Sequence, residues 1–130
     1  MFAEYATFDI DDSTVTYSAS EVNGSAVVGR AVNLSAAHTV KLAADGEAVI
    51  GKLIKVTPDN RAVVQVKGVM TLPGGDSASL TLNKKIVGAA SSAPANGYIR
   101  EVATATAAEL GLARGFIVDA GTTTAVVVWL

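Results

Sequence analysis

Residues 62–72 constrain this chain more than any other stretch. Val64, Val66, Met70 and Leu72 alternate with Gln65, Lys67 and Thr71, which puts apolar side chains on one face of a strand and polar ones on the other. Turn chemistry bounds the run at both ends. Thr57-Pro58-Asp59-Asn60 precedes it, with Pro preset for the second position of a type I turn, and Pro73-Gly74-Gly75 follows it. So sustained a period of two argues against a helix. With residues 52–56 upstream it predicts an antiparallel hairpin with one solvated face.

The rest of the chain carries similar punctuation. Phe2, Tyr5 and Phe8 alternate weakly before the acidic patch Asp9, Asp11 and Asp12, and Val15 and Tyr17 share a period-two face. Asn23-Gly24 is a turn signal, because both residues tolerate positive φ. Residues 27–34 read as a strand, and residues 39–43 and 47–56 flank Asp45-Gly46 as a further expected hairpin. Residues 80–87 read as a strand, 88–97 as an Ala-, Ser-, Pro- and Gly-rich loop, and 98–103 as extended chain. Thr106-Ala107-Ala108-Glu109 fits a capping box, with Gly111 placed to end a short helix in the left-handed conformation. A final hairpin is expected from residues 116–120 and 124–130 around Gly121-Thr122. The expectation is a mainly β fold: a small β-barrel or β-sandwich of antiparallel strands with one short helix near 104–111. Residues 1–22 form an N-terminal arm, or a first strand, with an acidic turn; residues 23–130 form the β domain.

Size and composition suit that fold. A chain of 130 residues is near the commonest domain length and can bury a core without metal or disulfide. It has no Cys, hence no thiolate ligands. Half of it is hydrophobic but only 5% is aromatic, which favours packed strands over an aromatic-lined ligand pocket. The net charge of −2 is spread along the chain. Lys84-Lys85 and the Arg61/Lys67 neighbourhood make no basic stripe, so nucleic acid is not an expected partner. The first residues have neither the basic nor the apolar region of a signal peptide. The apolar run 125–130 is too short to span a bilayer. The expectation is a soluble protein made in the cytosol, with no membrane partner.

No set of residues assembles catalytic or metal chemistry. Asp9, Asp11 and Asp12 begin like a Ca²⁺ loop but lack the Gly and Glu such a loop requires further on, and they read as a solvated acidic loop. His38 is the single histidine; alone it supports neither a His-based metal site nor a Ser–His–Asp triad, and it reads as a surface residue. Gly74-Gly75-Asp76-Ser77 lacks the Lys-Ser/Thr pair of a phosphate loop. Arg100, Glu101 and Arg114 suit exposed cross-strand ion pairs. Neither an enzyme nor a bound cofactor is expected.

The chain ends carry the candidate interaction residues. Val126, Val127, Val128, Trp129 and Leu130 make a strand apolar on both faces, either a central core strand or an intersubunit seam. Phe2, Tyr5 and Phe8 concentrate aromatic side chains in the first residues, as a docking arm or as a core strand.

Several stretches resemble the small head decoration, or capsid cement, proteins of tailed bacteriophages. They are Gly29-Arg-Ala-Val-Asn-Leu34, Val40-Lys-Leu-Ala-Ala-Asp-Gly46, Val49-Ile-Gly-Lys-Leu53, Val64-Gln-Val-Lys-Gly-Val-Met-Thr-Leu-Pro-Gly74, Gly97-Tyr-Ile-Arg-Glu-Val-Ala-Thr-Ala-Thr-Ala-Ala-Glu-Leu-Gly111 and Ala113-Arg-Gly-Phe-Ile-Val-Asp-Ala-Gly121. The likeness covers roughly residues 23–130. It implies a non-enzymatic virion protein that binds the major capsid protein on the outer surface of the expanded shell. The implied assembly is a homotrimer, with a dimer as the alternative, present in the host cytoplasm during assembly. A β-rich tail or baseplate component and a small carbohydrate-binding β module are the competing classes.

Overall fold

The computed structural model describes residues 3–10, 28–57, 61–75, 80–89, 96–102, 107–121 and 124–129, the last of these as backbone. Nine strands and one helix lie in these residues: β1 Glu4–Ile10, β2 Ala31–Ala36, β3 Thr39–Leu42, β4 Gly51–Val56, β5 Arg61–Pro73, β6 Ile86–Ala89, β7 Tyr98–Glu101, α1 Ala107–Leu112, β8 Phe116–Ala120 and β9 Thr124–Trp129. The fold is mainly β, as the sequence predicts, and of the two expected architectures it is a barrel.

β5 organises the molecule. Its first half pairs with β4 on one register and with β1 on another, and its second half pairs with β9. The order β1–β3–β2–β4–β5, with β1 also paired to β5, closes a five-stranded barrel. Closure gives each of those strands a neighbour on both sides. All of its pairings are antiparallel except β1 with β3, which run parallel where Asp9 meets Thr39 and Ile10 meets Val40. That parallel seam departs from the expected all-antiparallel arrangement. It follows from β1 filling the gap between β5 and β3, whose directions differ. Val32, Val40, Leu42, Leu53, Val56, Ala62 and Val64 fill the interior, and Phe8, Ile10, Ile50 and Val66 pack against them.

Beyond Val66, β5 leaves the barrel and continues into a second sheet with β9 and β8. Met70 and Leu72, on the same side of β5 as Val64, bury with Ala31, Ala43, Val49, Ile86, Ile99 and Ile117 in a second core. The β6–β7 ribbon is stitched to the barrel by backbone bonds. The Gly88 amide donates to the Glu47 carbonyl (2.7 Å), Gly46 to Gly88 (3.0 Å), Gly97 to Ala43 (2.9 Å) and Ala31 to Gly97 (2.8 Å). Gly88 permits this approach: a Cβ there would run into the Ala44 carbonyl oxygen. Val87, Val102 and Ala113 form a small third cluster beside the helix.

Several expectations need correction. Asp45-Gly46 is a turn, with Gly46 at φ +77°, but the strands it joins do not pair. β2 lies between β3 and β4 and pairs with both. The hairpin is instead β2–β3, turning at Ala37-His38 with His38 at φ +55°. The β4–β5 and β8–β9 hairpins form as expected. The strand expected over 80–87 shrinks to β6, because Leu82-Asn83 is a turn with Asn83 at φ +66°. Gly88 and Ala89 therefore belong to a strand rather than to the predicted loop. Gly111 lies inside α1, which runs on to Leu112. Thr106 of the capping box lies outside the described residues, as do Asn23, Gly24, Pro58, Asp59 and Asn60.

Candidate functional site

The second sheet carries an apolar outer surface. In register, Val128 of β9 sits between Val69 of β5 and Phe116 of β8. Val69 is 53% exposed and Phe116 half-buried. The adjacent row sets Val127 between Met70 and Ile117, both buried. On the strands flanking β9, Met70 and Ile117 therefore turn to the core, and Val69 and the half-buried Phe116 to the outer surface. A β-bulge between Ile117 and Asp119 frees Val118, which is 48% exposed. Val126 lies opposite Thr71 and Asp119, both exposed. Val126, Val127, Val128 and Trp129 thus lie on the central strand of a three-stranded sheet; Leu130 lies outside the described residues.

Val69 was legible as a surface residue, since it shares parity with Gln65, Lys67 and Thr71 on the predicted solvent face of β5. An apolar residue at that parity is the signal that sequence reasoning passed over. Gln65 goes the other way, being only 6% exposed. Its Nε2 donates to the carbonyls of Lys67 (3.2 Å) and Val69 (3.1 Å), so a residue expected on the solvent face instead ties down the backbone where β5 passes from barrel to second sheet.

At the other end of the chain, Tyr5 and Phe8 lie on β1, paired in register with Gln65 and Ala62. Tyr5 is 56% exposed, whereas Phe8 packs against the barrel core. Phe2 lies outside the described residues. The structure therefore does not bring these three aromatics together on one surface. Tyr5 alone of the described pair is presented outward.

Polar residues join the elements around α1. Arg100 of β7 donates through Nη1 and Nη2 to the two carboxylate oxygens of Glu109 (2.8 and 2.9 Å) and through Nε to Asp45 (2.9 Å). Such a two-pronged pair fixes geometry as well as charge. The Glu109 hydrogen bonds, reinforced by Asp45, hold the Arg100 pKa above its ordinary value although burial opposes this. Every residue of α1 is at least partly exposed, so Arg100 is a principal tie between the helix and the body. Arg100 was expected to form an exposed pair; it is instead a half-buried junction of three elements. Arg114 is exposed.

Glu47 caps the Asp45-Gly46 turn, accepting from the Ala44 amide (2.8 Å) and from Lys41 Nζ (2.8 Å). Burial works against its charge, but these bonds more than offset that and hold its pKa below the ordinary value. His38 is exposed at the β2–β3 turn, and its carbonyl accepts from the Asp9 amide (2.7 Å). Asp9 stands 3.8 Å from Arg61; Asp11 and Asp12 lie outside the described residues. Among the described residues no group of three or more His, Cys, Asp or Glu could hold a metal, and no helix is long and apolar enough to cross a membrane.

The chain matches no protein-family model, no curated protein and no solved structure. What the arrangement offers chemically is a braced β body carrying an apolar outer sheet.

Proposed function

We propose that this chain is a non-enzymatic structural protein of a tailed-phage virion, one that binds the outside of the expanded capsid and cements it as a homotrimer. The observation that carries the reading is the apolar outer face of the β5–β9–β8 sheet, where Val69 and Val118 are exposed and Phe116 half-buried on the two strands flanking β9. Apolar side chains gathered on one face are what a subunit or shell contact requires. The resemblance of residues 23–130 to decoration proteins supplies the kind of partner. In this reading the β9 sheet makes the contact between subunits, and the exposed Tyr5 faces the major capsid protein, while Phe8 stays in the barrel core. Several copies engaging one lattice would combine weak contacts into firm attachment.

The test is co-sedimentation of the purified protein with expanded heads lacking their decoration, followed by imaging at subunit resolution. Density capping the outer shell is the expected result. Protein left in the supernatant at saturating concentration, or density on the tail alone, refutes the proposal.

A further inference from the structure

A groove of about 370 Å³ opens where β2, β4, β5 and β7 meet, with Arg30, Lys52, Thr71, Pro73 and Tyr98 on its walls. Its position is fixed by backbone. Gly29, at φ +93°, donates to the Leu53 carbonyl (2.7 Å), and the Leu53 amide donates back to Arg30 (2.8 Å). The Arg30 guanidinium lies 5.0 Å from the centre of the Tyr98 ring, and its Nη1 donates to the Asn96 carbonyl (3.1 Å). One bond to Asn96 and one stacked ring hold the group in place and leave other guanidinium N–H donors without a bond among the described residues. Lys52 stands on the adjoining strand and forms no ion pair among the described residues. Among the described residues no carboxylate lines the groove. In a chain of net charge −2, this is a local reversal of sign.

We infer that this groove binds an acidic, extended peptide segment of a protein partner, its carboxylates received by Arg30 and Lys52 and its chain lying against Tyr98 and Pro73. Two cations in a net-negative protein are too few to track a phosphate backbone. The half-buried ring and proline add apolar contact that a bare anion would not use. The inference does not rest on the capsid reading, so either can fail alone.

The test titrates the full-length, ¹⁵N-labelled protein with three probes: a capped glycine-flanked tetraglutamate peptide, its glutamine counterpart, and inorganic phosphate. The expected result is saturable amide shifts at Gly29, Arg30, Lys52, Thr71 and Tyr98 with the glutamate peptide alone, weakening as salt is added. Lys52→Met keeps the packing of the side-chain stem and removes the charge. It should weaken binding at least about fivefold, with Lys52→Arg restoring it. Equal binding of the glutamine peptide, saturation by phosphate at the same amides, or an unchanged affinity in Lys52→Met would each overturn the inference.

Discussion

A single guanidinium decides how α1 is held. Arg100 joins β7 to the helix through Glu109 and to the Asp45-Gly46 turn through Asp45. Lysine would keep the charge and lose the fork, so Arg100→Lys should cost about 1–2 kcal/mol in urea unfolding. An unchanged midpoint would mean that the helix is held by something else. Glu47 adds a pH dependence. Its folded pKa is lowered from 4.5, so the stability it contributes is present above about pH 4.5 and is lost as pH falls through the lowered folded value. The gap in melting temperature between the parent protein and Glu47→Gln should therefore be widest at neutral pH and close on acidification. At neutral pH the gap should be small, since partly exposed pairs contribute at most about 1 kcal/mol. A gap that widened on acidification would contradict the assignment.

Among the elements, β5 was the most legible, because its alternation coincides with burial at Ala62, Val64, Met70 and Leu72. Gln65 escaped, since polarity alone does not reveal that the strand's outward side is covered where one sheet gives way to another. Turn chemistry was equally partial. Asp45-Gly46 specifies a local backbone conformation and says nothing about which strand the chain joins next, so the interposed β2 could not be read. The β2–β3 hairpin went unread because His38, rather than Gly or Asn, occupies the left-handed position. The outer apolar sheet was half legible: the valine run was visible, while Val69 and Phe116 joined it only through the register of three strands. Gly88 makes the ribbon testable. Gly88→Ala forces the added methyl against Ala44 and should destabilise the protein by about 1–3 kcal/mol, with the loss of amide protection concentrated in β6 and β7. A variant as stable as the parent would show that the ribbon docks with slack.

For the molecule as a whole, β1 is the closing stave of the barrel, paired with β5 from Glu4 to Asp9 and with β3 at its end. Removing residues 1–8 should therefore abolish cooperative unfolding in circular dichroism, by exposing the core that Phe8 covers and opening two strand edges. A truncated protein that melts like the parent would return these residues to the role of a detachable arm. The outer sheet gives an independent test of assembly. Val69→Lys places a charge on an exposed position, so the fold should survive; under the proposed trimer, light scattering should show an oligomeric mass for the parent and a monomeric one for the variant. A variant that stays oligomeric would move the subunit contact elsewhere.

The parallel join between β1 and β3 has a kinetic consequence. It rests on the pairing of Asp9 and Ile10 with Thr39 and Val40 and on the Asp9 amide bonded to His38, whereas the opposite side of β1 is zipped to β5 along nearly its whole length. The β2–β4 join is equally short in register, but Gly29, Leu53 and Ile50 brace it with further backbone bonds, so thermal fluctuation should part the barrel at the β1–β3 line first, as a sub-global opening of low free energy. In deuterium exchange the amide of Asp9 would trade its proton well before those along the β4–β5 ladder. The barrel would breathe like a cuff at its least-braced clasp, closed at equilibrium yet releasing at a known place.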